Sequence, residues 1–184
     1  MRARQPLPDT WLMTDERLGA RLFEAISRLP PHRSGIVFRH YSLPPAERRA
    51  LFRRVKRIAR RRGLLLLLAG PWTEAKAWGA DGSHGRGPAR GLRSAPVHDL
   101  AEVRAAERAG ADFLFLSPVY ATRSHPGAEP LGEAGFAALA RSTRLPVIAL
   151  GGMDEERAKS LEALGAYGWA AVDAWDQKRK AVPT

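Results

Sequence analysis

Eight short apolar runs alternate with helix-length segments along nearly the whole of this 184-residue chain. The predicted strands cover residues 10–14, 35–39, 64–69, 82–84, 95–98, 113–117, 147–150 and 169–172. The predicted helices cover residues 18–28, 46–61, 73–78, 100–108, 133–142, 155–164 and 175–180. Strands that alternate with helices form a parallel sheet covered by those helices. We therefore predict an α/β protein of a single domain, a compact (β/α)₈ TIM barrel with a core over about residues 10–175.

The chain is short for such a barrel, which usually needs about 250 residues. The shortening is visible at residues 85–93, Gly-Arg-Gly-Pro-Ala-Arg-Gly-Leu-Arg, where we predict little or no helix. The last predicted helix, 175–180, is trimmed as well. An open doubly wound sheet is the competing architecture, but it would seldom hold eight strands in so few residues. We therefore prefer the barrel.

The composition excludes several classes of protein. The chain has no cysteine, so it can form neither a disulfide framework nor a thiolate metal site. Its apolar fraction of 45% is that of a globular protein and argues against disorder. Residues 1–11 lack the apolar run of a signal peptide, and the leucine run at 64–68 is too short to cross a bilayer. We expect a cytoplasmic protein that makes no contact with a membrane.

The net charge of +11 is concentrated in the arginine-rich segment 47–62. Leu51, Val55 and Ile58 recur there at helical spacing, which predicts a helix with one apolar stripe and a basic face. A basic face of this kind can bind nucleic acid or acidic lipid, or it can simply face solvent. Because aromatic stacking platforms and known nucleic-acid motifs are missing, we favour the solvated face and do not expect nucleic acid as a partner.

The carboxyl ends of all strands in a (β/α)₈ barrel meet at one rim, where the binding site lies. Gly151 and Gly152 follow the seventh strand, where barrels often bind phosphate through main-chain N–H groups, although a tight turn explains the pair equally well. The candidate substrate-binding and phosphate-binding residues are Arg39, Ser117, Thr122, Gly151, Gly152 and Asp173. The candidate acid–base residues are His84, His98 and His125.

Each histidine also has a purely structural interpretation. His84 lies on a buried strand and could form a hydrogen bond within the core, while His98 precedes the helix-capping Asp99. His125 lies in a long loop, where it could be exposed without a role. Arg39 is harder to explain structurally, because a guanidinium in the barrel mouth is costly without an anionic partner. We predict that Arg39 contacts the ligand.

The aspartates divide between the two ends of the barrel. Asp15 follows the first strand at the candidate rim, where it either caps the helix that starts near Leu18 or belongs to the site. Asp81 and Asp112 close two Gly-Ala-Asp turns that lead from a helix into the next strand. They lie at the opposite end of the predicted barrel, so we exclude them from the site.

Four segments of the chain form a recognisable set of motifs. They are Trp-Leu-Met-Thr-Asp at 11–15, Gly-Ala-Asp-Gly-Ser-His at 79–84, Ser-Pro-Val-Tyr-Ala-Thr-Arg-Ser-His-Pro-Gly at 117–127 and Val-Ile-Ala-Leu-Gly-Gly at 147–152. In order and spacing, these segments resemble the thiamine phosphate synthase/TenI family. The resemblance implies a (β/α)₈ barrel and a transferase of thiamine biosynthesis. Such an enzyme joins a hydroxymethylpyrimidine pyrophosphate to a thiazole phosphate, with Mg²⁺ on the pyrophosphate. The implied partner is thus a small phosphorylated substrate, and a homo-oligomer is left open.

Several positions depart from the family pattern on the pyrophosphate side. The Gln-x-Arg-x-Lys set after the second strand corresponds to Val37, Arg39 and Tyr41, so only the arginine remains. The Asn-Asp pair after the third strand corresponds to Ala69-Gly70, and residues 86–90 after the fourth strand contain no carboxylate. Mg²⁺ usually needs one or two carboxylates. The usual metal ligands and most pyrophosphate contacts are therefore replaced, which predicts weak activity by the family's metal-assisted route.

Two further departures concern the thiazole phosphate side. His125 stands where the family has a loop lysine, and Asp173 stands where a serine after the eighth strand helps to hold the phosphate. An ionised carboxylate at that position repels phosphate unless it is protonated or turned away.

Two alternatives to synthase activity are open. A TenI-like thiazole tautomerase transfers a proton without a metal, but the histidine that the family uses for this corresponds to Pro118. A non-catalytic binder of a thiamine-related phosphorylated ligand is the second alternative.

Overall fold

A computed structural model describes residues 6–88, 90–123 and 127–176 of the chain. The strands are β1 (Thr10–Met13), β2 (Ser34–Phe38), β3 (Leu65–Ala69), β4 (Gly82–His84), β5 (Leu92–Val97), β6 (Phe113–Leu116), β7 (Val147–Leu150) and β8 (Gly168–Ala171). They form a closed parallel barrel, in which each strand pairs with its neighbours in sequence and β8 pairs with β1. This confirms the predicted (β/α)₈ barrel.

The α-helices of the described chain lie between these strands. They are α1 (Leu22–Arg28), α2 (Pro45–Arg62), α3 (Trp72–Trp78), α4 (Leu100–Arg108), α5 (Gly132–Arg141) and α6 (Glu155–Glu162). The single helix predicted over 18–28 is wrong in its first half, because Gly19 has a φ of 49° and residues Glu16–Arg21 form a 3₁₀ turn instead. After β8 the chain forms a 3₁₀ turn at Asp173–Trp175, and most of the helix predicted at 175–180 lies outside the described residues.

The barrel interior is filled by aromatic side chains. The ring of Trp11 lies 5.3 Å from that of Phe113 and 5.4 Å from that of Phe115, measured between centroids. The neighbouring strand leaves room for the indole with a glycine, since a Cβ atom at Gly35 would lie only 2.3 Å from the Trp11 ring. This packing closes the barrel as a core rather than a pore.

Two aspartate side chains accept main-chain N–H groups near the amino-terminal ends of β3 and β5. The Asp81 carboxylate accepts the N–H of Leu66 at 2.8 Å, and the Asp112 carboxylate accepts the N–H of Arg93 at 2.8 Å. Both lie at the amino-terminal end of the barrel, as predicted. The second bond also explains why β5 begins at Leu92 rather than at residue 95, since it fixes Arg93 in the strand.

Arg93 fills the space left by the missing helix between β4 and β5. The described part of residues 85–91 contains no helix, and the Arg93 side chain packs beneath this connection with its residue only 1% exposed. Its guanidinium donates to the carbonyl oxygens of Arg86 and Gly87 from the connection, and to Ala106 of α4 at 3.1 Å. One side chain thus joins the short connection to the barrel wall.

A search of the described helices found none that is both long and apolar enough to span a membrane.

Candidate functional site

A cavity of about 1230 Å³ opens at the carboxyl-terminal rim of the barrel. The loops that follow β6, β7 and β8 form most of its wall. Six predicted substrate-binding residues line it together: Arg39, Ser117, Thr122, Gly151, Gly152 and Asp173. Residues that are up to 134 positions apart in sequence, from Arg39 to Asp173, therefore surround one space large enough for a small phosphorylated molecule.

The glycine pair after β7 brings two loops into close contact. Gly151 and Gly152 have φ angles of 97° and 63°, which side-chain-bearing residues rarely adopt. A Cβ atom on Gly151 would lie 2.8 Å from Pro118, and one on Gly152 would lie 2.7 Å from the carbonyl oxygen of Ala121. The pair is thus required by the approach of the strand-six loop, and it also leaves bare main chain on the cavity wall. A phosphate-binding role for the pair stays a prediction.

Arg39 lies at the end of β2 with an anionic partner from the chain itself. Its Nη2 contacts the Asp15 carboxylate at 3.1 Å, and its Nε donates to the carbonyl oxygen of Thr14 at 2.7 Å. Asp15 also accepts the N–H of Arg17 at 3.0 Å and so caps the 3₁₀ turn Glu16–Arg21, not a helix that starts near Leu18. It is absent from the described cavity wall, but it pairs with Arg39, which lines that wall. Burial lowers the pKa of Arg39, and the charge of Asp15 opposes that shift.

Asp173 is neutralised by a side chain that sequence reasoning did not pair with it. The Arg123 Nη2 lies 3.0 Å from one carboxylate oxygen of Asp173, and the Arg123 Nε lies 3.4 Å from the other. This bidentate ion pair joins the loop after β6 to the turn after β8 across the cavity wall. The Asp173 carboxylate holds the Arg123 side chain in place. An incoming phosphate would have to compete with this carboxylate for Arg123.

His98 lies beside the cavity rather than in it. Its Nδ1 donates to the main-chain carbonyl oxygen of Ser117 at 2.6 Å, and its own main-chain N–H is bound by the Glu102 carboxylate at 2.9 Å. The side chain is exposed and it is absent from the described cavity wall. This geometry suits a residue that positions the start of the strand-six loop.

His84 is buried inside the barrel, behind the cavity wall. Its Nδ1 lies 2.9 Å from the Ser94 hydroxyl, and its ring packs edge-on against Phe115 at 5.2 Å. Burial, followed by the charge of Arg39, lowers the pKa of His84 to about 3, so the imidazole is neutral near pH 7. His84 therefore forms the core hydrogen bond considered from sequence. The third candidate, His125, lies outside the described residues.

Several residues of the cavity wall were not predicted. They are Arg28, Arg157, Trp169, Trp175 and Asp176. The indoles of Trp169 and Trp175 stack at 5.2 Å, and the Arg157 guanidinium lies over the Tyr120 ring at 4.7 Å. No local pattern in the sequence marks these residues, because they come from α1, α6, β8 and the segment after β8 and meet only in the folded barrel.

The residues at the rim of β3 do not fit a magnesium site. No cluster of three or more His, Cys, Asp or Glu side chains in the described chain could hold a metal ion. The carbonyl oxygen of Ala69 accepts from Arg48 Nη2 at 2.7 Å, and the nearby Glu74 carboxylate pairs with the same guanidinium at 3.4 Å. A buried cation therefore already uses the oxygen atoms of this corner, in the region where the family resemblance implies metal ligands.

Comparisons with known proteins identify the family of this chain and agree with its fold. The family described as thiamine monophosphate synthase (TMP-TENI) matches residues 92–175. The chain is 31% identical over 179 residues to a protein of Aquifex aeolicus named "Putative thiamine-phosphate synthase 2", covering 90% of this chain and 96% of that one. It is 37% identical over 153 residues to the ThiM/ThiE bifunctional thiamine biosynthesis protein of Symbiobacterium thermophilum, covering 76% of this chain and 32% of that protein.

The solved structure of thiamine phosphate pyrophosphorylase from Pyrococcus furiosus superposes on this chain with a TM-score of 0.79. The two sequences are 25% identical, and the superposition covers 97% of this chain and 93% of the other. Together with the Aquifex aeolicus relative, this likeness extends over nearly the whole barrel. The chain therefore belongs to the thiamine phosphate synthase/TenI family.

Proposed function

We propose that this protein is a divergent thiamine phosphate synthase of the cytoplasm. It would couple a hydroxymethylpyrimidine pyrophosphate to a thiazole phosphate, as the thiazole nitrogen attacks the methylene carbon and pyrophosphate leaves. The names of its relatives support a role in thiamine biosynthesis. The observation that carries the proposal is the cavity in which all six predicted substrate-binding residues meet.

The thiazole phosphate is assigned to the half of the cavity built by the loops after β6, β7 and β8. The bare main chain at Gly151 and Gly152 allows close approach of phosphate oxygens. The hydroxyl groups of Ser117 and Thr122 offer hydrogen-bond donors on the same wall. Arg123 would contribute its positive charge once a phosphate competes with Asp173 for it.

The pyrophosphate end depends on Arg39 in this proposal. A guanidinium has five N–H donors, and the contacts with Thr14 and Asp15 engage its Nε and Nη2 groups. Because Arg39 lines the cavity, its Nη1 group is assigned to the leaving anion. Since removal of one such donor typically costs about 10²–10³ in rate, a site with fewer donors than its relatives should turn over slowly.

The assay combines the two phosphorylated substrates with the protein, with and without added Mg²⁺, and detects thiamine phosphate by chromatography. We expect slow product formation that Arg39→Met lowers about 100-fold or more, because it removes the charge that faces the leaving group. Arg33→Met is the matched control, since Arg33 pairs with Asp9 at the opposite end of the barrel. A blank at high protein concentration would contradict synthase activity.

A calorimetric titration with thiazole phosphate separates the remaining alternatives. Binding without turnover would indicate a non-catalytic binder. Absence of binding would contradict both the synthase and the non-catalytic binder. The tautomerase has less support, because Pro118 occupies the position of the family's histidine and His84 is neutral and buried. Persistence of a tautomerase reaction after loss of His84 or His98 would exclude these residues as its acid–base groups.

A further inference from the structure

Helix α2 carries most of the net positive charge of the protein. Between Pro45 and Arg62 it has nine basic residues and one acidic residue, Glu47, a local net charge of +8 in a chain whose total is +11. The proposed synthase reaction does not use this helix. Helix α2 packs against β3 and the side chains around Phe38, whereas the cavity is formed mainly by the loops after β6, β7 and β8.

The helix separates its residues into two faces. Phe52, Val55 and Ala59 are buried against the barrel. The opposite face carries a continuous row of exposed arginines, which we call the basic ridge: Arg49, Arg53, Arg57, Arg60 and Arg61. Residues spaced three or four apart lie above one another on a helix, and twelve residues at 1.5 Å each give a ridge of about 18 Å.

The side chains of the ridge arginines make no ion pair or hydrogen bond with any residue in the described ranges 6–88, 90–123 and 127–176. Other basic residues of α2 are engaged by the fold. Lys56 donates to the carbonyl oxygen of Trp78 at 2.8 Å, Arg62 donates to that of Leu29 at 2.6 Å, and Arg54 lies 4.4 Å above the Phe23 ring. The structural demands on this helix are therefore met without the ridge.

We propose that the basic ridge binds the phosphate backbone of a nucleic acid duplex without reading its sequence. Guanidinium groups bind phosphate oxygens through paired N–H donors, and a duplex presents about one negative charge per 1.7 Å of its axis. Backbone binding needs no aromatic platform, so the lack of one speaks against base stacking only. The exposed face has no apolar side chain that could enter a bilayer, which favours a duplex over a membrane.

The test measures binding of the protein to a fluorescent duplex of about 20 base pairs by anisotropy, at several salt concentrations between about 50 and 200 mM. If four to five arginines contact phosphates, the slope of log K against log salt is about −4. The variant Arg49→Gln/Arg53→Gln/Arg57→Gln should bind at least about tenfold more weakly and lose about 2.7 of that slope. Thermal unfolding of each variant checks that its fold is retained.

The matched control is Arg108→Gln/Arg141→Gln/Arg144→Gln, which removes the same charge from exposed positions outside α2. It should keep the affinity within about threefold and the slope nearly unchanged. Equal weakening of both variants, or no binding at the lowest salt, would overturn the proposal. Stronger binding to vesicles of anionic lipid than to the duplex would overturn it in favour of a membrane surface. Because α2 lies away from the cavity, failure here leaves the proposed synthase function untouched.

Discussion

Single charged residues determine the electrostatics of the site. Asp173 replaces a serine of the family pattern, and its charge is balanced by Arg123 at 3.0 Å. Arg48 brings a cation to the carbonyl oxygen of Ala69, in the corner where relatives are expected to bind metal. Both charges have a partner within the chain, since Asp173 pairs with Arg123 and Arg48 pairs with Glu74.

Replacing Asp173 by serine should strengthen phosphate binding. The variant Asp173→Ser removes a negative charge from the cavity wall and releases Arg123 for the ligand. We expect the dissociation constant for thiazole phosphate, measured by calorimetry, to fall about tenfold, which is about 1.4 kcal/mol. Glu155→Gln, which removes a charge from an exposed residue of the same wall, should change it less than about twofold. Weaker binding by Asp173→Ser would contradict the proposed position of the phosphate.

His84 should make the protein less stable in acid. Its pKa falls from 6.5 to about 3 on burial in the folded protein, so below pH 6.5 the unfolded chain binds the proton first. The stability held above pH 6.5 is thus lost as the pH decreases, by about 1.4 kcal/mol per unit. We expect the free energy of unfolding in urea to decrease between pH 6.5 and pH 5 by about 2 kcal/mol more for the wild type than for His84→Asn. An identical pH dependence would show that His84 is accessible to protons.

At the scale of elements, the barrel is shortened without losing a strand. The connection from β4 to β5 has no helix among its described residues, and the buried Arg93 guanidinium serves its carbonyl groups instead. The Arg93 Nε has no hydrogen-bond partner within the described chain, so part of the desolvation cost of this charge is not offset.

Loss of the Arg93 guanidinium should destabilise the shortened unit. The variant Arg93→Met keeps a long apolar stem but leaves the carbonyl oxygens of Arg86, Gly87 and Ala106 without these donors. We expect the free energy of unfolding to decrease by about 2–4 kcal/mol, since a hydrogen bond to a charged group contributes about 1.5–3 kcal/mol. Arg104→Met, an exposed position on α4, should change it by less than about 0.5 kcal/mol. Equal stability of Arg93→Met and the wild type would mean that the connection needs no such support.

Sequence periodicity is enough to predict elements, because the alternation of apolar and helical segments is local. All eight strands and the missing helix after β4 follow from it, and α4 matches its predicted bounds. Gly19 and Arg93 show where periodicity fails as a predictor. The positive φ of Gly19 and the buried guanidinium of Arg93 depend on the particular neighbours of one residue, which periodicity does not record. Errors are therefore confined to the ends of elements.

At the scale of the whole molecule, the position of the site could be predicted but its charge balance could not. The barrel topology brings the strand ends to one rim, so the six predicted substrate-binding residues were expected to meet there. The partners that modify them come from elsewhere in the chain: Asp15 is 24 residues from Arg39, and Asp173 is 50 residues from Arg123. Such pairs depend on how loops pack over the finished barrel, and no local pattern records them.

In the proposed function, the loops after β6, β7 and β8 hold the phosphate of a thiazole phosphate. A crystal structure of the protein soaked with that compound would show where this phosphate binds. We expect phosphate density against the main chain of Gly151 and Gly152, with the Arg123 side chain turned from Asp173 towards it. Phosphate density elsewhere on the rim, or an empty cavity at a saturating concentration of the compound, would contradict it.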